Sequence, residues 1–214
     1  MTLKITLTFD NGPHENVTPY ILDTLAERDV KASFFVIGER LREPARKALL
    51  HRVRSEGHHV GNHTWSHGTP LGWVADDAAA LAEIDRVEPL LERPEADPML
   101  FRPSAGGEAM DGRLLSPAAA RHLCDGGYTC VLWNNLPRDW IDPDVWAVRA
   151  LETARTQSWS VVVLHDVWMS AMRHVGAFID EARGQGAEFT QDFPDDCLAI
   201  VKGRPAKNLS DYVR

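Results

Sequence analysis

The 214-residue sequence predicts an α/β fold with a largely parallel sheet. Three observations carry that reading. Short apolar segments alternate along the chain with longer segments of helical periodicity, the pattern of strands interleaved with helices. The clearest apolar run, Ser160–Val161–Val162–Val163–Leu164, is continuous where a half-exposed strand would alternate, as expected for a strand covered on both faces. No Pro/Gly/Ser-rich linker, short-period repeat or low-complexity tract divides the chain, so residues 1–214 read as one domain.

Each element follows from local pattern. Ile5, Leu7 and Phe9 alternate with Thr6 and Thr8, so a first strand leads to Asp10, and Asn11–Gly12–Pro13 supply its turn. Residues 16–29 place Ile21, Leu22 and Leu25 on one side of a helix. A short apolar run over 31–39 follows, then a helix over 43–57 closed by Gly57. Residues 58–63 read as a weak strand, and 74–93 as one long amphipathic helix that stops before Pro94. Next come a strand over 98–103, a helix over 116–127 capped by Ser116, and a strand over 128–133. A helix over 142–156, the apolar strand over 160–166, a helix over 170–186 and a short strand within 193–203 complete the series.

Composition excludes several function classes. Hydrophobic residues make up 44% and charged residues 25%, ordinary for a globular chain with a full core. A formal net charge of -8, with no run of clustered Lys and Arg, argues against a nucleic-acid partner. The basic residues between Arg40 and Arg54 are interleaved with apolar ones, as on the wet face of a helix. No apolar stretch reaches membrane-spanning length, so no membrane partner is expected. The N-terminus lacks a basic region followed by an apolar one, so the expected location is the cytoplasm unless a leader has been removed. Cys124, Cys130 and Cys197 lack zinc-type spacing and read as buried free thiols.

In α/β folds, reacting groups gather at the carboxyl ends of the strands. Asp10 and Asn11 follow the first apolar run, His63 and His67 the third, and Arg102 the fourth. Asp139 and Trp140 follow the fifth, and His165 and Asp166 the sixth. His63 and His67 stand at i and i+4, which on a helical turn lets two imidazoles reach one divalent cation, zinc being well suited to them. Asp10 shares parity with Thr6 and Thr8, a polar face that lines the interior of a closed barrel. There it is placed to act as a general base, with His165 as the general acid. Asp139 would hold His165 protonated, and Arg102 would keep Asp10 ionised. His14 is a spare imidazole beside the turn, while His58 and His59 read as structural. Trp65 and Trp168 are candidates for either sugar stacking or the core.

The segments TFDNGP (8–13), HTWSH (63–67), FRPSAGG (101–107), RDW (138–140) and VLHD (163–166), in this order and spacing, resemble the polysaccharide deacetylase family, the NodB-homology carbohydrate esterases. The resemblance runs from Leu7 to about Asp166. It implies a distorted (β/α) barrel of seven or eight strands, a divalent metal, usually zinc, and removal of N-acetyl groups from amino sugars. Carried over by position, it implies Asp10 as catalytic base, His63 and His67 as metal ligands, and His165 as catalytic acid. It further implies Asp139 as the partner orienting His165, Arg102 as the arginine tuning the base, and Trp140 and Leu164 as apolar walls of an acetyl-sized pocket. A backbone N–H at Ala105 would serve the oxyanion site.

Three positions depart from the family pattern. Asn11 stands where an aspartate usually completes the metal site; its amide oxygen can coordinate but brings no charge. A branch of the family acting on the muramic acid of peptidoglycan carries a similar Asn. Ser104–Ala105–Gly106 replaces the usual Pro-Tyr-Gly, and Leu136 replaces an aspartate. The departures predict a changed substrate or a weakened metal site. The expected function is metal-dependent hydrolysis of an N-acylated carbohydrate or related amide. The alternatives are a cytoplasmic hydrolase of a small amide, by deformylation or ureide ring opening, and a retired carbohydrate-binding protein.

Overall fold

The computed structural model describes residues 3–206 and 208–214. Its organising element is a curled sheet of parallel strands: β1 (Lys4–Asp10), β2 (Ser33–Val36), β3 (His59–Asn62), β4 (Leu100–Phe101), β5 (Thr129–Val131) and β6 (Trp159–His165). Their spatial order is β6-β1-β2-β3-β4-β5, so the sixth strand returns beside the first. A two-residue β7 (Glu188–Phe189) pairs with the start of β1. Beyond β5 the sheet continues as antiparallel β8 (Leu198–Val201) and β9 (Arg204–Pro205). The curl is thus an incomplete barrel. The space between β5 and β6 is crossed by one isolated parallel bridge, in which the Asn135 backbone bonds Val161 and Val163.

Helices α1 (Val17–Ala26), α2 (Pro44–Ser55), α3 (Asp77–Asp85), α4 (Glu88–Leu91), α5 (Pro117–Asp125), α6 (Trp146–Arg155), α7 (Met169–Met172) and α8 (Val175–Gly184) surround the sheet. Strand alternation divides the core. Ile5, Leu7 and Phe9 of β1 pack with Val162 and Leu164 of β6 against Leu22, Trp146 and Phe178 of the outer helices. Phe35, Leu100, Val131 and Leu198 form a small separate cluster, and Phe101, Cys130 and Ile200 pack against α3 and α5. The cysteines are free, Cys130 and Cys197 fully buried and Cys124 partly so. Among the described residues no helix is long and apolar enough to cross a membrane.

Local signals set most boundaries. Ser116 Oγ accepts the Ala119 N–H (3.1 Å), an N-cap bond, and Gly57 closes α2 with a φ of 85°. Two expected helices are each divided. Residues 74–93 form α3 and α4, because Pro89 has no N–H to offer Asp85 and can stand only in the first turn of a new helix. Residues 170–186 divide between α7 and α8, where the Ala171 carbonyl accepts the Trp146 indole N–H (2.9 Å) and the His174 N–H (3.2 Å). The strand expected over 98–103 contracts to Leu100–Phe101, which ends the strand just before Arg102.

Candidate active site

In the sheet register Asp10 pairs with His165 on one side and with Phe35 on the other, so the carboxylate and the imidazole leave neighbouring strand ends together. Behind them lies Arg102, fully buried with each guanidinium nitrogen engaged. Its Nη1 donates to Asp10 Oδ1 (2.8 Å) and Thr8 Oγ1 (2.7 Å), while Nε and Nη2 donate to the carbonyls of Val131 and Leu132 (3.2 Å each). The guanidinium lies 4.1 Å over the Phe35 ring. That ring lies close against β3, where a Cβ on Gly61 would fall 2.5 Å from a ring carbon. Gly61 is therefore required by close approach.

His63 follows β3 directly. Its Nδ1 donates to the Arg102 carbonyl (2.8 Å), which leaves Nε2 as the lone-pair nitrogen, 3.6 Å from Asp10 Oδ2. The His67 ring centroid is 4.8 Å from that of His63. The pair does not stand on the helical turn that its spacing suggests. Thr64 and His67 are both left-handed (φ of 67° and 54°), and side chains tie the loop: Asn62 Oδ1 accepts the Thr64 N–H (2.9 Å) and Thr64 Oγ1 accepts the His67 N–H (3.1 Å). A tied loop brings the rings together as a helix would have done.

On the far side, Asp139 grips His165 twice. Its Oδ1 accepts from the ring Nδ1 (2.8 Å) and its Oδ2 from the backbone N–H (2.9 Å), with Asp139 fully buried. Trp140 and Trp168 stand edge-on to the His165 ring, with centroids 5.0 Å and 5.6 Å away. Asp10, Asn11, His63, His67 and His165 open into one pocket of ≈ 250 Å³, which Ala105 and Trp140 also line.

The protonation states diverge. Burial works against the Asp10 carboxylate, but Arg102, His63 and His165 outweigh it and hold the carboxyl below its ordinary value. Burial likewise opposes a charged His165, yet the hydrogen bond and charge of Asp139 raise it above the usual imidazole range. Burial pushes His63 down to about 3, against the pull of Asp10, and lowers His67 as well. The site therefore combines a carboxyl held below its ordinary range, one imidazole held above its own and two held below theirs.

The neutral pair bears on the metal. Among the described residues no group of three or more His, Cys, Asp and Glu side chains is placed to hold an ion. The third donor available is an amide: Asn11, at a φ of 75°, lines the same pocket and has its Oδ1 buried without a partner. Two unprotonated imidazoles and an orphaned carbonyl oxygen fit a divalent cation.

Other expectations resolve differently. Leu164 is no pocket wall. It is fully buried in the outer core, because residues alternate along β6 and the pocket face carries His165 and Val163. His14 is used locally, its Nδ1 accepting the Asn16 N–H (3.2 Å). Arg86 stacks 3.9 Å over Trp65, while Trp168 reaches the pocket. Reasoning from sequence missed Asn62, whose Nδ2 donates to Ile84 O (3.0 Å) and Glu88 Oε1 (2.9 Å) while its oxygen ties the histidine loop. It also missed Gly61 and Val163; counting back two residues from His165 would have found the latter.

Residues 3–119 match the profile of the family described as polysaccharide deacetylase, more than half of the chain. The chain belongs to the polysaccharide deacetylase family. Two curated family members show its range. The chain is 32% identical over 193 residues to a peptidoglycan-N-acetylglucosamine deacetylase of Bacillus cereus, covering 86% of this chain and 84% of that protein. It is 34% identical over 171 residues to a chitooligosaccharide deacetylase of Sinorhizobium fredii, covering 76% and 72%. Among solved structures, the T48 deacetylase determined with substrate superposes at a TM-score of 0.72, with 26% identity and 88% of each chain covered. The incomplete barrel described above is the deacetylase fold.

Proposed function

We propose that this chain hydrolyses the N-acyl amide of an amino sugar or a related N-acylated compound, with Asp10 as base and His165 as acid. One observation carries this reading: two groups at adjacent strand ends, one held ionised by Arg102 and the other held protonated by Asp139, face a single pocket. Asp10 Oδ1 is committed to Arg102, so Oδ2 is the oxygen available to take a proton from the attacking water. The water oxygen bonds to the acyl carbon, the carbon–nitrogen bond breaks, and His165 Nε2, freed by the Nδ1 bond to Asp139, protonates the departing nitrogen. The products are a carboxylic acid and a free amine. Ala105 lines the pocket, and its backbone N–H would donate to the oxyanion. His63 Nε2, His67 and Asn11 Oδ1 would hold a divalent cation, zinc being the best match, whose chemistry is Lewis-acid polarisation of the carbonyl and the water.

The names of the relatives support N-acetylated glucosamine units, in peptidoglycan or chitooligosaccharide, as the first substrates to try. Acetate release from N-acetylglucosamine oligomers, assayed with added zinc, tests the proposal. Wild type is expected to release acetate and free amine in equal amounts, and Asp10→Asn to lose about 10²–10⁴-fold in kcat. Binding of the oligomers without acetate release would instead assign the chain to non-catalytic sugar binding.

A further inference from the structure

Asp166 follows His165 directly but is not among the residues that line the pocket. Alternation at the end of β6 turns its side chain the other way, toward α1, where it is buried. There its carboxyl meets the turn that carries Asn11. A Cβ on Gly12 would fall 2.1 Å from Asp166 Oδ2 and 2.2 Å from Oδ1, so the carboxyl fills the space that a side chain at Gly12 would need. It also reaches the far end of the turn through α1. Thr18 Oγ1 donates to Asp166 Oδ2 (2.6 Å) and accepts the His14 N–H (2.8 Å). Backbone bonds hold the turn from its other sides. The Asp166 N–H donates to the Asp10 carbonyl (3.3 Å), the Asn11 N–H to that of Phe35 (3.1 Å), and the Ile37 N–H to that of Gly12 (3.1 Å). None of these bonds touches the Asn11 side chain, whose Oδ1 is buried without a partner. Asp166 Oδ1 is buried without a partner as well. A buried carboxyl with an orphaned oxygen costs stability, so folding alone gives no reason for an acid here. Its place against Gly12 and its bond to Thr18 do.

We propose, on the metal reading of Asn11 given above, that Asp166 is a positioning residue: its carboxyl, wedged against Gly12 and tied to His14 through Thr18, keeps Asn11 Oδ1 on the pocket shared with His63 and His67. Asp166 then sets cation affinity without touching the cation, as partners behind a ligand do in metal sites.

The test measures zinc affinity of the metal-free chain by competition titration, the visible spectrum of its cobalt(II) form, and thermal unfolding. Asp166→Ala is expected to weaken zinc binding about 10–100-fold and to shift the cobalt bands. Asp166→Asn, which keeps the shape and an oxygen for Thr18, is expected to recover most of that affinity. Thr18→Val should weaken zinc binding and Thr18→Ser restore it, and this pair keeps the test valid if Asp166→Ala does not fold. Because Asp166 acts through Asn11, its effect should disappear in an Asn11→Ala background. A destabilised Asp166→Ala with zinc affinity and cobalt spectrum unchanged overturns the positioning role, and so does a loss that adds in full to that of Asn11→Ala. Acyl hydrolysis by wild type would then leave the hydrolase standing. The expected losses and rescues in a chain that hydrolyses no N-acyl sugar support the positioning role and remove the hydrolase. Failure of wild type to bind zinc overturns the role together with the metal site.

Discussion

Asn11 is held by its backbone: the N–H donates to the Phe35 carbonyl (3.1 Å), and the left-handed φ turns the chain away from β1. Its amide oxygen is left buried and without a partner, a costly state unless something binds it. Replacing the amide by a carboxylate adds a charged donor to the two imidazoles, so Asn11→Asp is expected to bind zinc at least about ten-fold more tightly in a competition titration. Asp139 makes a second prediction at this scale. His165 is raised above its ordinary 6.5, and an acid works only while protonated, so activity should persist above that pH and fail as the raised value is passed. Asp139→Asn removes the negative charge and leaves at most a neutral acceptor, so the alkaline limb of the kcat–pH profile should move to lower pH and kcat should fall. An unmoved limb would mean that Asp139 does not set the protonation of His165. Asp10, Arg102, Asp139 and His165 could all be named in advance because each stands just beyond an apolar run. Leu164 could not be a wall for an equally simple reason, the alternation of β6.

β3 and the loop after it show how an element positions chemistry without touching substrate. Asn62 ends the strand, spans to α3 and α4, and ties the turn that carries both histidines. Asn62→Ala should cost about 1–3 kcal/mol, since it strands the buried Thr64 N–H, and should weaken zinc binding as well. Thermal unfolding and metal titration of that one variant check both. Unchanged metal affinity in a destabilised protein would reduce Asn62 to a purely structural role. The spacing of His63 and His67 implied rings brought together, and they are, but on another conformation: side chains of Asn62 and Thr64, not a helical ladder, hold them. Local codes such as the Ser116 cap and the Gly57 stop were legible. The break at Pro89 was legible too and went unused, while the division of α7 from α8 depends on a carbonyl taken by Trp146, distant in sequence.

At the scale of the molecule, the sheet's incomplete closure rests on partners far apart in sequence. The Asn135–Val162 bridge, β7 beside β1, and the stack of Gly61, Phe35 and Arg102 leave no periodic trace. The alternating strands and helices announced the α/β class; what closes the sheet lay beyond local pattern. Stability against acid is set by opposing buried groups. Burial pushes His58 down to about 4 from 6.5, so its contribution is complete above pH 6.5 and is lost as pH falls toward 4. Burial raises Asp166 to about 6 from 3.8, so its contribution is complete below 3.8 and is lost as pH rises through 6. The slopes oppose each other over much of the same range. His58→Gln removes one of them, and its stability relative to wild type should improve by on the order of 2 kcal/mol between pH 7 and 4.5 in urea unfolding. A constant difference across that range would contradict the assignment. Whether Asn11 and two neutral imidazoles form a working metal site beside Asp10 and His165 is decided by one titration. Zinc is added to the metal-free chain while bound metal and acyl hydrolysis are recorded together. Activity is expected to rise in step with uptake of about one zinc per chain, and His63→Ala to abolish both. Hydrolysis at full rate with no metal bound, or one bound zinc with no hydrolysis of any N-acyl sugar, would contradict it.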